Sequence, residues 1–160
     1  MNQTLADAAR TIGMNTGLTR RYVDGWTDDQ WLRSLDGPTS NAAWIVAHLA
    51  LTRAAYLSKV GGRFDLPDWA EPFGRGSTSP EAMPAPTEEL LDVLDRAGQA
   101  LAERLPQLTD DELAADCGRD LPSGGRTIGK YVHFMLWHES DHVGQLAVLN
   151  RVQGGPGIGR

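Results

Sequence analysis

The chain has 160 residues, of which 41% are hydrophobic and 22% are charged. This length and composition fit one folded domain over residues 1–160 and exclude an intrinsically disordered chain. Fifteen Lys and Arg stand against 21 Asp and Glu, a net charge of −6 that repels nucleic-acid phosphates, so we expect no nucleic-acid partner.

The sequence predicts neither a disulfide nor a membrane segment. Cys117 is the single cysteine, so it has no second cysteine with which to form a disulfide or a metal site. The first residues lack the basic leader and apolar segment of a signal peptide, and no stretch approaches the roughly 18 apolar residues of a membrane span. We therefore expect a cytoplasmic protein with no membrane partner.

Apolar residues at helical spacing predict two long helices in the first half of the chain. The first occupies residues 5–23 and is followed by a short helical turn around Trp31. The second begins at a cap, Thr39 or Ser40, and runs to about residue 60.

A long connection follows at residues 61–86, which we call the crossover segment. It contains five prolines and several glycines, a composition that favours neither helix nor strand. Loops of this length are uncommon in compact domains and often functional. The crossover segment either covers a pocket or is a surface excursion.

The second half of the chain predicts two further long helices. One begins at Thr87 and ends near Leu105, and the last begins after a cap at Thr127 and covers residues 128–151. No alternating run of apolar and polar residues is long enough to indicate a sheet. Four long helices with a long crossover between the second and third predict an all-α four-helix bundle.

Histidines interrupt the apolar stripes of two of these helices. His138 and His142 lie four residues apart on the core-facing stripe of the last helix, and His48 takes an inward position on the second. Rings at this spacing can bind one ion together, whereas a buried polar ring without a partner is costly. The pattern predicts a divalent metal site of His48, His138 and His142; the alternative is three core histidines that satisfy one another.

Residues 138–142 also match the H-E-x-x-H pattern of zinc peptidases. No Asp, Glu or His follows His142 to act as the third ligand of such an enzyme, so we do not expect peptidase activity. Glu139 is a candidate catalytic base beside the ion, with a solvated surface carboxylate as the alternative. Gln145 is a candidate for orienting a ligand or a metal-bound water, or else packs on the second helix. His133 points away from the stripe.

Four segments together resemble the DinB-like superfamily. They are HESDHVGQL at residues 138–146, WIVAHL at 44–49, TDDQW at 27–31 and LTDDEL at 108–113. The resemblance extends over nearly the whole chain. It implies a DinB-type four-helix bundle with a metal at its cup-like end, and a homodimer.

The same resemblance implies a range of activities. Related families include thiol-dependent S-transferases, a mycothiol-dependent maleylpyruvate isomerase and proteins described only as metal-dependent hydrolases. We therefore expect transfer of a low-molecular-weight thiol to a small-molecule electrophile, with hydrolysis or ligand binding without turnover as alternatives. Three imidazoles leave a coordination position open for a thiol or water, and zinc is the first metal expected, with nickel and iron as alternatives.

The last helix carries a second apolar stripe formed by Val132, Leu136, Val143 and Leu146. A helix that is apolar on several sides must be covered on each of them. Either the crossover segment or a second copy of the chain could supply that cover. Because twofold dimers are the commonest closed assemblies, we expect a homodimer.

Overall fold

The structure is a computed structural model that describes residues 3–35 and 40–156. Within these ranges the chain forms α1 (Gln3–Val23), α2 (Asp28–Leu32), α3 (Ala42–Lys59), α4 (Thr87–Arg104), α5 (Asp110–Ala114) and α6 (Ile128–Val152), with 3-10 helices at Asp68–Phe73 and Leu105–Gln107. The described residues contain no β-strand, only an isolated bridge between Asp116 and Thr127. The all-α prediction is confirmed.

The four long helices α1, α3, α4 and α6 form the predicted bundle. Helix α1 packs against α4 and α6, and α3 packs against the same two helices. Long helices that follow each other, α1 then α3 and α4 then α6, therefore lie diagonally across the bundle. None of the helices described is both long enough and apolar enough to cross a lipid bilayer.

Capping side chains set the starts of α2 and α6. Thr27 accepts a hydrogen bond from the Gln30 backbone while the Gln30 side chain accepts one from the Thr27 backbone, which is a complete capping box. Thr127 caps α6 by accepting from the Lys130 N–H. Helix α6 begins where the sequence predicts, and α2 contains Trp31 as expected.

The predicted cap of the second long helix is wrong by one residue. The side chain of Asn41, rather than that of Ser40, accepts a hydrogen bond from the Trp44 N–H at 2.9 Å, and Thr39 lies outside the described residues. The Asn41 amide also donates to the carbonyls of Leu32 and Pro80. Asparagine caps helices as well as serine does, and here its amide also ties α3 to the segments on either side.

The crossover segment packs on α3 instead of extending into solvent. Its 3-10 helix, Asp68–Phe73, corrects the expectation that the segment contains no helix, and it buries Phe73 against the core. Ser77 then accepts a hydrogen bond from the Trp44 indole N–H at 2.8 Å. The segment is therefore held against the bundle by these contacts, and a role in covering a pocket stays a prediction.

Two apolar clusters fill the bundle, one towards each end. One includes Tyr22, Trp31, Trp44, Leu90 and Leu146, and the other includes Ile12, Tyr56, Leu101, Tyr131 and Met135. Between the clusters each long helix contributes one residue to a polar layer, which consists of Thr16, Arg53, Gly98 and Glu139.

Arg53 joins all four long helices through this layer. Its side chain is fully buried, and each of its five N–H groups has an acceptor. Nε and Nη2 donate to the two carboxylate oxygens of Glu139 at 3.0 and 2.7 Å. Nη1 donates to the Thr16 hydroxyl and the Leu94 carbonyl at 2.9 and 2.8 Å, and Nη2 also reaches the Ile12 carbonyl at 3.5 Å. One side chain of α3 thus contacts α1, α4 and α6.

Helices of the same chain bury most of the second apolar stripe of α6. Three of its residues are buried and the fourth is half-buried: Val132, Val143 and Leu146, then Leu136. A second copy is therefore not required to cover this stripe, which corrects the reason given for a dimer. The apolar side chains exposed on α6 are instead Trp137, Val148 and Val152. The homodimer itself stays a prediction.

Candidate metal centre

Three imidazoles from α3 and α6 converge between the two helices. The ring centroids of His48, His138 and His142 lie 4.7 to 5.3 Å apart, and one ring nitrogen from each lies within 4.8 Å of the others. The Nε2 atoms of His48 and His138 are 3.4 Å apart. Two imidazole nitrogens on one tetrahedral zinc ion would be separated by about 3.3 Å. The structure thus brings the three predicted ligands together, and we call this group the histidine centre.

Two of the rings are oriented by acceptors that contact their Nδ1 atoms. Nδ1 of His48 lies 2.7 Å from the Phe73 carbonyl of the crossover segment, so it carries the proton and donates. Nδ1 of His142 lies 3.1 Å from the side-chain oxygen of Gln145. A hydrogen bond of this kind fixes the tautomer and leaves Nε2 with the lone pair that a metal requires.

The third ring contacts a tyrosine that the sequence did not single out as a site residue. The Tyr56 hydroxyl lies 3.0 Å from His138 Nδ1, and burial raises the pKa of this phenol well above its ordinary value. The Tyr56 side chain is itself buried. Its position eight residues after His48 places it on the same face of α3, and that spacing was the available signal.

Gln145 links the centre to an exposed carboxylate. Its amide nitrogen donates to Asp141 at 3.0 Å while its oxygen faces His142. Since Asp141 can only accept when ionised, the hydrogen-bond network sets which end of the amide faces the imidazole. Sequence spacing placed Gln145 beside His142, and the structure gives it that contact.

An aromatic wall closes one side of the centre. The Trp44 indole stacks on the His48 ring with centroids 4.5 Å apart and an angle of 11° between the planes, and it lies 5.7 Å from His142. His48 is 4% exposed and His142 is 9% exposed, whereas His138 is half-buried. The side of the centre nearest His138 is thus the more open to solvent.

Burial lowers the pKa of all three imidazoles. Loss of hydration is the main cause for each, and it lowers the pKa of His138 to about 4, with the neighbouring His142 and His48 adding to the effect. The rings are therefore neutral at pH 7. A neutral imidazole is the form that ligates a metal ion.

Glu139 faces the polar layer, although it lies next to His138 in sequence. Its side chain is 1% exposed and both of its oxygens accept hydrogen bonds from Arg53. The expectation of a solvated surface carboxylate is therefore wrong. A role for Glu139 as a catalytic base is not tested by this geometry and stays a prediction. His133 is exposed and lies outside the histidine centre.

The donor set fits a divalent metal ion. Within the described part of the chain, the three histidines form the one group of His, Cys, Asp or Glu whose ligand atoms come this close together. Three neutral nitrogen ligands suit zinc, nickel and iron, and they leave at least one coordination position for a water or a substrate atom.

The fold and the site together define a four-helix bundle with a three-histidine centre on its second and last long helices. The family model of the DinB superfamily matches residues 14–146. The chain belongs to this superfamily, as its sequence motifs predict.

Two solved structures share this fold. YfiT from Bacillus subtilis, described as a probable metal-dependent hydrolase with an unusual four-helix bundle topology, has 17% identity and a TM-score of 0.69 over 98% of this chain and 91% of its own. A conserved protein from Enterococcus faecalis has 15% identity and a TM-score of 0.70 over 91% of this chain and 94% of its own. A search of curated proteins gives no match.

Proposed function

We propose that this chain is a metal-dependent enzyme that transfers a low-molecular-weight thiol to a small electrophile. The convergence of three neutral imidazoles, His48, His138 and His142, is the observation that carries the proposal. These residues would hold the ion through Nε2, with zinc as the first metal and nickel or iron as alternatives. When bound, the ion supplies positive charge that lowers the pKa of a thiol at its open position.

The chain's own groups prepare the site for this chemistry. The Phe73 carbonyl, the Gln145 amide and the Tyr56 hydroxyl each hold one imidazole in place. The Trp44 indole excludes water from the face of His48 against which it stacks. Ligands fixed in this way need no rearrangement when a metal or a substrate binds.

The carboxylates next to the ligands favour thiol transfer over hydrolysis. Both oxygens of Glu139 accept from Arg53, and Asp141 accepts from the Gln145 amide. Hydrolysis by a metal-bound water is usually assisted by a general base within hydrogen-bond reach. A thiol at the open position would need no such base, because a bound ion would lower its pKa enough for the proton to pass to solvent water.

Metal-dependent hydrolysis is the second candidate, and the description of YfiT favours it. In that case Glu139 is the residue expected to act as general base. Since both of its oxygens bind Arg53, this role would require the carboxylate to leave its partner. A hydrolase would therefore show a change at Glu139 on binding substrate.

We further propose a cytoplasmic location and a small-molecule substrate rather than nucleic acid. The net charge of −6 supports the second point, and the single, unpaired Cys117, which needs no oxidising compartment, supports the first.

Elemental analysis and a conjugation assay test the proposed function together. Purified protein is expected to contain about one divalent ion per chain and to conjugate glutathione, cysteine or another cellular thiol to 1-chloro-2,4-dinitrobenzene. His142→Ala should abolish metal and activity, while the matched variant His133→Ala should retain both. Cleavage of 4-nitrophenyl acetate without a thiol would favour the hydrolase, and bound metal without turnover would indicate a binding protein. If the purified protein contains no metal, the interpretation that remains is three core histidines that satisfy one another's hydrogen-bonding groups.

A further inference from the structure

A cavity of about 360 Å³ opens beside the histidine centre, on the side of His142. Its walls come from Leu35 in the connection after α2, from Trp44 on α3, and from Val148 and Leu149 on α6. Among the described residues, the lining contains no Asp, Glu, Lys or Arg. The volume lies at the lower end of the range for small-molecule sites, which is about 300–1,000 Å³.

Two polar side chains in the cavity wall, those of Trp44 and Gln145, are already paired within the protein. The Trp44 indole N–H donates to Ser77 at 2.8 Å, so the ring faces a ligand as an apolar surface. The oxygen of Gln145 faces His142 and its nitrogen donates to Asp141. A charged ligand group entering here would lose its hydration and find few partners in return.

Val148 gives this wall an apolar surface that is open to a ligand. Its side chain is 51% exposed, although Leu149, the next residue, and His142, six residues earlier, are buried. Covering such surface with an apolar group is favourable in proportion to the area removed from water. The cavity therefore selects for hydrocarbon rather than for charge.

We propose that this cavity binds an uncharged alkyl or aryl group of the small-molecule substrate, with the reactive end of that molecule directed to the histidine centre. The assignment of the bound molecule as the substrate rests on the proposed function, whereas the binding of an apolar group does not need a metal. The site admits one aromatic ring or a short alkyl chain.

A series of n-alkyl alcohols from ethanol to hexanol tests the cavity in the full-length protein. Binding is followed by the NMR shift of the Trp44 indole N–H. Each added CH2 is expected to raise the affinity about three- to fourfold, as the transfer of one methylene from water predicts. Hexanoate and hexylamine should bind at least tenfold more weakly than hexanol. Equal affinities across the series would overturn the proposal.

A matched pair of variants locates the binding. Val148→Asp places a charge in the cavity wall and should weaken hexanol binding at least tenfold. Val152→Asp, one turn further along α6, is at a similarly exposed residue outside the lining and should leave binding unchanged. Equal effects of the two variants would contradict the assignment. The assignment would also be contradicted if Val148→Asp halved the molecular mass and left hexanol binding intact. In that case a second copy of the chain, and not a ligand, would cover this wall.

Elemental analysis of the same samples separates this inference from the proposed function. If the purified protein contains no metal but binds hexanol, the metal-dependent reaction is refuted and the apolar site still stands. Bound metal with no dependence on alkyl length would refute the apolar site and leave the metal centre standing.

Discussion

Each imidazole of the histidine centre is contacted at its Nδ1 atom by a different chemical group. His48 is held by a backbone carbonyl, His142 by a side-chain amide and His138 by a phenol. A carbonyl oxygen and an amide oxygen each accept a hydrogen bond from the ring N–H, whereas a phenol can donate or accept one. His138 is thus the ring whose tautomer can change without breaking its hydrogen bond.

Removing a ligand tests the register of the helices directly. We expect His48→Ala or His138→Ala to lower the bound divalent metal at least tenfold, because each removes one of three nitrogen donors. His133→Ala is the matched control, since His133 is exposed and lies outside the centre. Elemental analysis after dialysis gives the readout, and an equal loss in His133→Ala would show that the predicted register is wrong.

The lowered pKa values predict how the stability of the metal-free protein depends on pH. The folded pKa of His138, about 4, lies below the ordinary value of about 6.5, so the unfolded chain binds protons first as the pH falls. The free energy of unfolding should therefore decrease between about pH 6.5 and pH 4. His138 alone would contribute at most about 2 kcal/mol of this loss between pH 7 and pH 5.

Urea unfolding of metal-free protein at several pH values measures this dependence. The variant His138→Leu is expected to show a weaker decrease because it lacks the titrating ring, while His133→Ala should follow the unmodified chain. A free energy of unfolding that rises towards pH 5 would have the wrong sign for buried, neutral imidazoles.

The grouping of the three histidines was predictable from the sequence because helical periodicity determines which histidines face inward. His48, His138 and His142 all occupy positions where an apolar residue is expected. For Glu139 the sequence left two positions open, beside the ion or at the surface, because its partner Arg53 lies on another helix and periodicity carries no information about contacts between helices. The partner of a buried charge becomes visible only in three dimensions.

At the scale of the helices, the polar layer sets how α1, α3, α4 and α6 align. Arg53 binds groups on the three other helices, and a Cβ at Gly98 on α4 would lie 2.4 Å from its Nη1. Sliding any helix by one turn, about 5.4 Å, would break these contacts. The layer thereby fixes the position of His48 along the bundle axis relative to His138 and His142.

Breaking the ion pair in this layer should be costly. Arg53→Met leaves the Glu139 carboxylate buried without a partner, and we expect it to lower the free energy of unfolding by about 3–5 kcal/mol in urea titrations. The double variant Arg53→Met with Glu139→Leu should lose less than the single variant, because no charge stays buried. Arg96→Met removes an exposed pair with Asp92 and should cost less than about 1 kcal/mol. A cost for Arg53→Met no larger than that for Arg96→Met would contradict the prediction.

Long helices were predicted more accurately than their connections. The bounds of α1 and α6 follow from apolar spacing and caps, which are local features. The 3-10 helix at Asp68–Phe73 was missed because its proline-rich sequence has no helical period. Its conformation depends on packing against α3, which no local pattern reports.

At the scale of the whole molecule, the outer face of α6 is the surface that we propose for a second copy. Trp137 is 62% exposed and lies on this face beside Phe134, with ring centroids 5.9 Å apart, whereas Val148 further along α6 lines the apolar cavity. A Cβ at Gly144, two turns of helix from Trp137, would meet no atom within 4 Å, so this part of the face is unobstructed. Such a face suits a twofold contact between two α6 helices.

Sedimentation at micromolar concentration checks this assembly. The unmodified protein is expected at twice the chain mass of 17.4 kDa, and Trp137→Asp is expected to reduce it to a monomer. Met14→Asp changes an exposed apolar residue on α1, 58% exposed, and should leave the dimer intact. A mass of 17.4 kDa for the unmodified chain would rule out the dimer at this concentration.

The contact between His48 and the crossover segment couples two events that look separate. The Phe73 carbonyl orients His48 only while the segment is docked on α3. If docking of the segment raises the affinity for the metal by some factor, metal binding must raise the docking equilibrium constant by the same factor, because coupling free energies are reciprocal. Metal occupancy of the buried centre therefore changes how firmly a surface segment is docked. A metal-loaded chain would present residues 61–86 as a fixed surface, and a metal-free chain would release them more often to solvent, to proteases or to another protein.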